Sequence, residues 1–218
     1  TTVKMATGML APTEGTAVVD GHDIRESPLE AKARIGVVPE TGALYENLTP
    51  REYLSLVGHL YHLEEGEAKA KAESFLKLFG IADVSDRTMT SFSRGMRQKV
   101  LVSAALLHNP AVLFLDEPLS GLDANTALVL KELLRELASQ GKTVFYCSHV
   151  LEVVEKVCDR VVILNQGRVV ADGNVQELKE LTRRSSLEGV FSDLTSTGDL
   201  TEVVRAFSES VTGTSGNQ

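Results

Sequence analysis

The sequence predicts an α/β fold with a mostly parallel sheet, and three observations carry that prediction. Residues 112–115 (Val-Leu-Phe-Leu) and residues 143–147 (Thr-Val-Phe-Tyr-Cys) are short apolar runs without alternation, the pattern of strands buried on both faces. Between them Leu130, Leu133, Leu134 and Leu137 recur at helical spacing, and Gly141 closes the helix. Buried strands that alternate with helices build a parallel sheet joined by crossovers.

The remaining elements follow along the chain. Residues 2–7 read as a helix end stopped by Gly8, since glycine takes the left-handed conformation at a helix C-terminus. Residues 12–15 (Pro-Thr-Glu-Gly) form a turn, residues 16–19 are strand-like, and Asp20-Gly21 is a hairpin signal. Ile35, Val37 and Val38 make a short buried strand that Pro39 ends. A helix-rich insertion follows. Thr49 caps its first helix, with Pro50 at the first position and Glu52 three residues on, so that cap and third residue satisfy each other's backbone N–H. Residues 67–79 are a second helix closed by Gly80, and residues 94–107 a third that ends at Asn109-Pro110. Past the second apolar run, residues 150–157 are a short helix, residues 161–164 and 168–171 flank the turn Asn165-Gln166-Gly167, and residues 174–181 are helical. From Thr195 onward Ser, Thr and Gly dominate, with only residues 200–207 amphipathic; a weakly ordered tail is expected there. No internal repeat is evident.

Composition narrows the function. The chain has 218 residues, 43% hydrophobic and 24% charged, enough for one sizeable core. Its formal net charge of -8 is a poor match for duplex DNA, whose affinity comes largely from Lys and Arg on phosphates. Cys147 and Cys158 have no metal-ligand spacing and read as reduced small hydrophobes. The longest apolar stretches, such as residues 100–107, are far too short to span a bilayer, so a membrane role would run through a partner.

Four segments carry chemistry. The run 112–115 ends in Asp116-Glu117-Pro118, which puts two carboxylates at the C-terminal edge of a strand, where open α/β sheets bind ligands. Successive strand residues face opposite ways, so one acid can hold hydrated Mg²⁺ while the other polarises water; a helix-capping acid pair explains the residues equally well. In Ser91-Phe92-Ser93-Arg94-Gly95-Met96-Arg97-Gln98-Lys99, Ser93 caps a helix and Gly95 permits close backbone approach, which is either an ordinary cap or a phosphate contact at a helix N-terminus. Ser120-Gly121-Leu122-Asp123 follows the acids, and Asp123 either caps the next helix or does more. Ser148-His149 ends the second run; the His is either a satisfied turn residue or, at the sheet edge that carries the acids, a partner for a phosphate or an attacking water.

The ordered set resembles the signature helix, Walker B strand, D-loop and H-loop of ABC ATPases over residues 1 to about 182. The resemblance implies a P-loop NTPase (RecA-like) core with a mostly parallel sheet, a small antiparallel part and an inserted helical subdomain. It implies ATP and Mg²⁺ as ligands, with Asp116 holding Mg²⁺ through water and Glu117 acting as general base. His149 would contact the γ-phosphate, Ser93 and Gly95 would reach the nucleotide of a second subunit, and Asp123 would couple the two sites. Glu40 stands where the family has Gln and would ligate Mg²⁺ or orient water. Arg94 and Met96 also depart from the usual Gly and Gln, while Ser93 and Gly95 keep the phosphate-touching parts. Residues 1–40 and 109–182 are expected to form the nucleotide-binding core, 41–108 the helical signature subdomain, and 183–218 a C-terminal extension, partly disordered.

No Gly-x-x-x-x-Gly-Lys-Ser/Thr loop is present. Counting back from Gly8, the resemblance places the loop's Lys and its Mg²⁺-binding hydroxyl before Thr1, and Thr1 at the second hydroxyl, which touches the α-phosphate. The chain is therefore expected to begin within the Walker A region, to lack the first strands, and to be inactive by itself although its parent hydrolyses ATP. Tyr45-Glu46-Asn47-Leu48-Thr49 and residues 186–195 resemble ABC-2-type exporter ATPases. The implied partners are a second ATPase subunit, most simply an identical one, and an ABC-2-type transmembrane permease, with no nucleic acid. The implied location is the cytoplasmic face of the membrane. The rival readings are a soluble ABC ATPase acting on ribosomes or nucleic acid, which would normally carry two cassettes or long coiled coils, and a non-catalytic binding module.

Overall fold

Both apolar runs become strands of one sheet. In the computed structural model, which describes residues 1–41 and 44–195, β3 (Ile35–Val38), β4 (Val112–Asp116) and β5 (Thr143–Cys147) pair in parallel in the order β3-β4-β5. Val38 lies opposite Leu115, and Asp116 opposite Cys147. Side chains on β4 alternate between two cores, as the pleat demands. Leu113 and Leu115 join Leu54, Leu76, Val100, Leu107, Leu130 and Leu134 on one face; Phe114 joins Val19, Ile24, Ala31 and Ile35 on the other.

This sheet belongs to the first of two units, Thr1–His149. The unit opens with α1 (Thr2–Ala6) and a two-stranded ribbon of β1 (Val18–Val19) and β2 (His22–Asp23). Asp20 (φ 48°) and Gly21 (φ 81°) are both left-handed, which a two-residue hairpin needs to match strand twist. The helix α2 (Pro28–Ala33) was not expected; with only six residues it is too short to show a period.

Between β3 and β4 the chain inserts α3 (Pro50–Leu60), α4 (Glu65–Leu78) and α5 (Arg94–Leu107). The capping box on α3 forms as its sequence specifies: Glu52 N donates to Thr49 Oγ1 at 3.2 Å, and Thr49 N to Glu52 Oε2 at 2.8 Å. The second helix begins two residues earlier than expected because the Glu64 side chain accepts from Glu67 N at 2.8 Å and caps it. Between β4 and β5 runs α6 (Ala124–Ser139), which buries Leu130 and Leu134.

The second unit begins at Val150. In it α7 (Leu151–Val157) precedes an antiparallel hairpin of β6 (Arg160–Asn165) and β7 (Arg168–Asn174), followed by α8 (Val175–Thr182) and α9 (Leu187–Thr195). Asn174 caps α8 in a second capping box with Glu177. Val154, Val161, Ile163, Leu178, Leu187 and Val190 are buried within this unit. The expected tail, including residues 200–207, lies outside the described residues.

Candidate active site

The C-terminal edge of the sheet gathers the acids. Asp116 is the last residue of β4, and strand alternation stops with it. Glu117 has φ 50°, a left-handed conformation that is uncommon for a residue with a side chain and is kept only where its surroundings fix it. The bonds at its backbone are clear: Glu117 N donates to Cys147 O at 3.0 Å, and Ser120 N to Glu117 O at 3.0 Å. The two acids therefore diverge because the backbone reverses at Glu117, not because of the pleat alone.

That reversal aims the Glu117 carboxylate at the end of β5. Its Oε2 accepts from Ser148 Oγ at 3.0 Å. Its Oε1 accepts from His149 N at 2.6 Å and lies 2.7 Å from His149 Nδ1. An ionised carboxylate only accepts, so Nδ1 carries the proton in this arrangement. The Glu117 side chain is 16% exposed and the His149 side chain 83%: the acid is shielded, and its ring partner faces solvent.

Asp116 is the electrostatic focus. Its pKa is raised, first by burial and then by the negative charges of Glu40 and Glu117, with Lys4 pulling the other way. Glu40 is exposed, and its charge acts on Asp116. Among the described residues no group of three or more His, Cys, Asp or Glu side chains forms a ready metal cage. The Asp116 carboxylate, with the negative charge of Glu40 acting on it, suits a hard cation that keeps most of its water.

The second group of candidates forms where α5 meets the turn after β4. Ser93 caps α5, its Oγ accepting from Met96 N at 3.2 Å. Gly95 is buried, and a Cβ built there would stand 2.3 Å from Gly121 O. Its bare backbone thus admits the 118–123 turn of the same chain, whatever else it also meets. Asp123 caps α6: Oδ1 accepts from Thr126 N at 2.9 Å and Oδ2 from Thr126 Oγ1 at 2.7 Å. Lys99 Nζ lies 3.2 Å from Asp123 Oδ2. The Thr126 hydroxyl, the Thr126 N–H and Lys99 hold the Asp123 carboxyl well below its ordinary range.

Two residues of this junction escape sequence reasoning. Buried Gln98 donates from Nε2 to Pro118 O at 3.1 Å, and Lys99 pairs with Asp123. The available signal was their position: both lie one to two turns after Ser93, and Gln98 is a polar residue in a helix otherwise headed into the core.

Comparison with known proteins shows the family and the fold. A family model described as ABC transporter matches residues 1–120. The chain is 38% identical over 193 residues to the ABC transporter ATP-binding protein NatA of Bacillus subtilis, covering 88% of this chain and 78% of that one. It is 37% identical to the linearmycin resistance ATP-binding protein LnrL of the same organism, covering 82% and 57%. It is 35% identical to the daunorubicin resistance ATP-binding protein DrrA3 of Streptomyces coeruleorubidus, covering 88% and 61%. The chain thus spans somewhat over half the length of the latter two. A solved structure of the ATP binding subunit of an ABC transporter superposes with a TM-score of 0.84 at 31% identity, covering 89% of this chain and 82% of that one.

Proposed function

The chain belongs to the ATP-binding subunits of ABC transporters, and from that membership we propose that it serves in an ATP-hydrolysing dimer that drives export through a separate ABC-2-type membrane permease. The observation that carries the reading is Glu117, a shielded carboxylate turned out of the strand by its left-handed backbone and held by Ser148 and His149. Such a group, fixed beside a substrate phosphate, can take the proton of an attacking water. With Nδ1–H donated to Glu117, Nε2 is the His149 ring nitrogen left to meet the γ-phosphate, which it does as a donor when the ring carries its second proton.

The oxygen donors fit Mg²⁺: Asp116 would hold it through water, with Glu40 beside it, and the ion would neutralise charge on the phosphates. Thr1 would meet the α-phosphate. Ser93 and Gly95 of one subunit would reach the nucleotide bound by the other, and the Asp123 turn would link the two sites. Residues 1–40 with 109–182 would bind nucleotide, and residues 41–108 would present Ser93.

Support for export comes from relatives named for linearmycin and daunorubicin resistance. Among the described residues no helix is long and apolar enough to cross a membrane, so attachment to the cytoplasmic face would run through the permease. The net charge of -8 favours a protein partner over nucleic acid.

These 218 residues contain no Gly-x-x-x-x-Gly-Lys-Ser/Thr loop, and phosphoryl transfer depends on such a cradle for positioning and charge stabilisation. The chain alone is therefore expected to hydrolyse ATP at background rate, and the chain joined to a phosphate loop ahead of Thr1 to hydrolyse it measurably. In that joined protein Glu117→Gln should cut turnover by about 10²–10⁴-fold, the contribution of a positioned base. Unchanged turnover in Glu117→Gln would remove Glu117 as the base.

A further inference from the structure

The helical turn that carries Ser93 is held from two sides, and only one has entered the proposed function. Arg97, Gln98 and Lys99 are consecutive on α5, so their side chains leave the helix about 100° apart. Gln98 and Lys99 reach the 118–123 turn. Arg97 reaches elsewhere. Its Nη1 pairs with Glu46 Oε1 at 2.9 Å, its Nε donates to Met89 O at 3.3 Å, and its Nη2 donates to Thr90 O at 3.4 Å. Backbone bonds join the two stretches that it grips: Thr90 N donates to Glu46 O, and Met89 N to Leu48 O, each at 3.0 Å. Arg97 N itself donates to Ser93 O at 3.0 Å.

We propose that Arg97 is a positioning residue that ties residues 44–48 to the Ser93 turn, so that a displacement of the stretch following Glu40 is delivered to Ser93. An ion pair as exposed as Arg97 with Glu46, 33% and 41%, contributes little by itself. The tie comes from the planar fork, which satisfies a carboxylate and two carbonyls at once. Lysine, a single point charge, cannot do this. The functional weight of the tie rests on reading Ser93 as the group presented to a second subunit's nucleotide; the tie itself does not.

Amide hydrogen exchange on the full 218-residue chain without nucleotide tests it, residue by residue. The informative amides are Met89 and Thr90 on the loop side and Met96 on the Ser93 side. As the third residue of α5, Met96 has no helical carbonyl to bond and depends on Ser93 Oγ. Arg97→Lys should speed exchange at all three about tenfold or more, while residues 100–107 keep their protection, as expected when a local opening is freed without global unfolding. Glu46→Ala, which removes one contact and no charge from α5, should also speed Met96, and the double variant should be no faster than Arg97→Lys alone. If Glu46→Ala leaves Met96 unchanged, or if the two effects add, the loops are independent and the proposal fails. Ser93→Ala, assayed for hydrolysis in the phosphate-loop-joined protein, separately tests the reading that the tie serves: full activity there would remove that reading and leave the exchange result standing.

Discussion

Gly95→Ala sets two rules against each other. Gly95 is the second residue of α5. Helix propensity favours alanine over glycine by about 1 kcal/mol, because glycine gives up more backbone freedom. The packing says the opposite. A Cβ at Gly95 would lie 2.3 Å from Gly121 O, whereas real Cβ atoms essentially never come closer than 3.0 Å to such an atom, so at least 0.7 Å of retreat is required. Neither side yields easily. The 118–123 turn is anchored by Gln98 on Pro118 O and by Lys99 on Asp123, and Asp123 caps α6. Overpacking of this kind costs typically about 1–3 kcal/mol, and losing the Gln98 bond would add roughly 1 kcal/mol. The net expectation is a loss of about 1–3 kcal/mol, read as a lower urea midpoint at unchanged slope. Gly66→Ala is the control. It is the second residue of α4, exposed, and its added Cβ would meet only the carboxylate end of Glu64, at 3.0 Å. There propensity should win, leaving the variant neutral or more stable by up to about 1 kcal/mol. If Gly95→Ala tracks Gly66→Ala, the close approach of α5 to the 118–123 turn is not real.

Two further outcomes follow from local geometry. Thr49→Ala removes the side-chain half of the α3 capping box and should cost about 1 kcal/mol of unfolding free energy, measured by urea titration; no loss would mean that α3 draws nothing from its cap. His108 donates from Nε2 to Ile35 O at 3.0 Å and stacks on Tyr61 with centroids 3.7 Å apart, while its Nδ1 is buried without a partner. Burial, helped by Lys142 and Lys71, lowers its pKa against the opposing pull of the Ile35 bond. A depressed histidine binds its proton more readily when unfolded, so its contribution is complete above the unfolded value and is lost as pH falls through the folded one. Urea midpoints of the wild type should therefore drop between pH 8 and pH 5 by more than those of His108→Gln, which cannot titrate; parallel profiles would refute the assignment.

The parts of the fold legible in the sequence were those whose cause is local. Residues 112–115 read as a strand because a strand packed on both faces needs apolar residues throughout, and Phe114 and Leu115 do enter different cores. The start of α3 was legible because Thr49, Pro50 and Glu52 act only on their own turn. The placement of His149 near the acids also followed from local logic, since two parallel strands end at one edge. The left-handed Glu117 did not, because nothing in Asp116-Glu117-Pro118 announces the reversal; it is fixed by Ser148 and His149, some thirty positions on.

The same division explains why the junction of α5 with its surroundings stayed hidden. Gly95, Arg97, Gln98 and Lys99 carry no periodic signal, and each is matched by a group distant in sequence: Gly121, Glu46, Pro118 and Asp123. The sequence could name Ser93 as a cap and Asp123 as a cap, and both are. It could not show that one helical turn joins the two. A cap satisfies its own helix and little else, whereas two caps bridged by Lys99 and by the Gly95–Gly121 contact must shift together. The acid site at Glu117 is covalently continuous with that turn through Pro118, whose carbonyl Gln98 holds. Any displacement of Ser93 thus reaches the backbone next to the candidate base, and the departures from the family pattern at Arg94 and Met96 fall beside this junction without altering the glycine or the two polar side chains that make it.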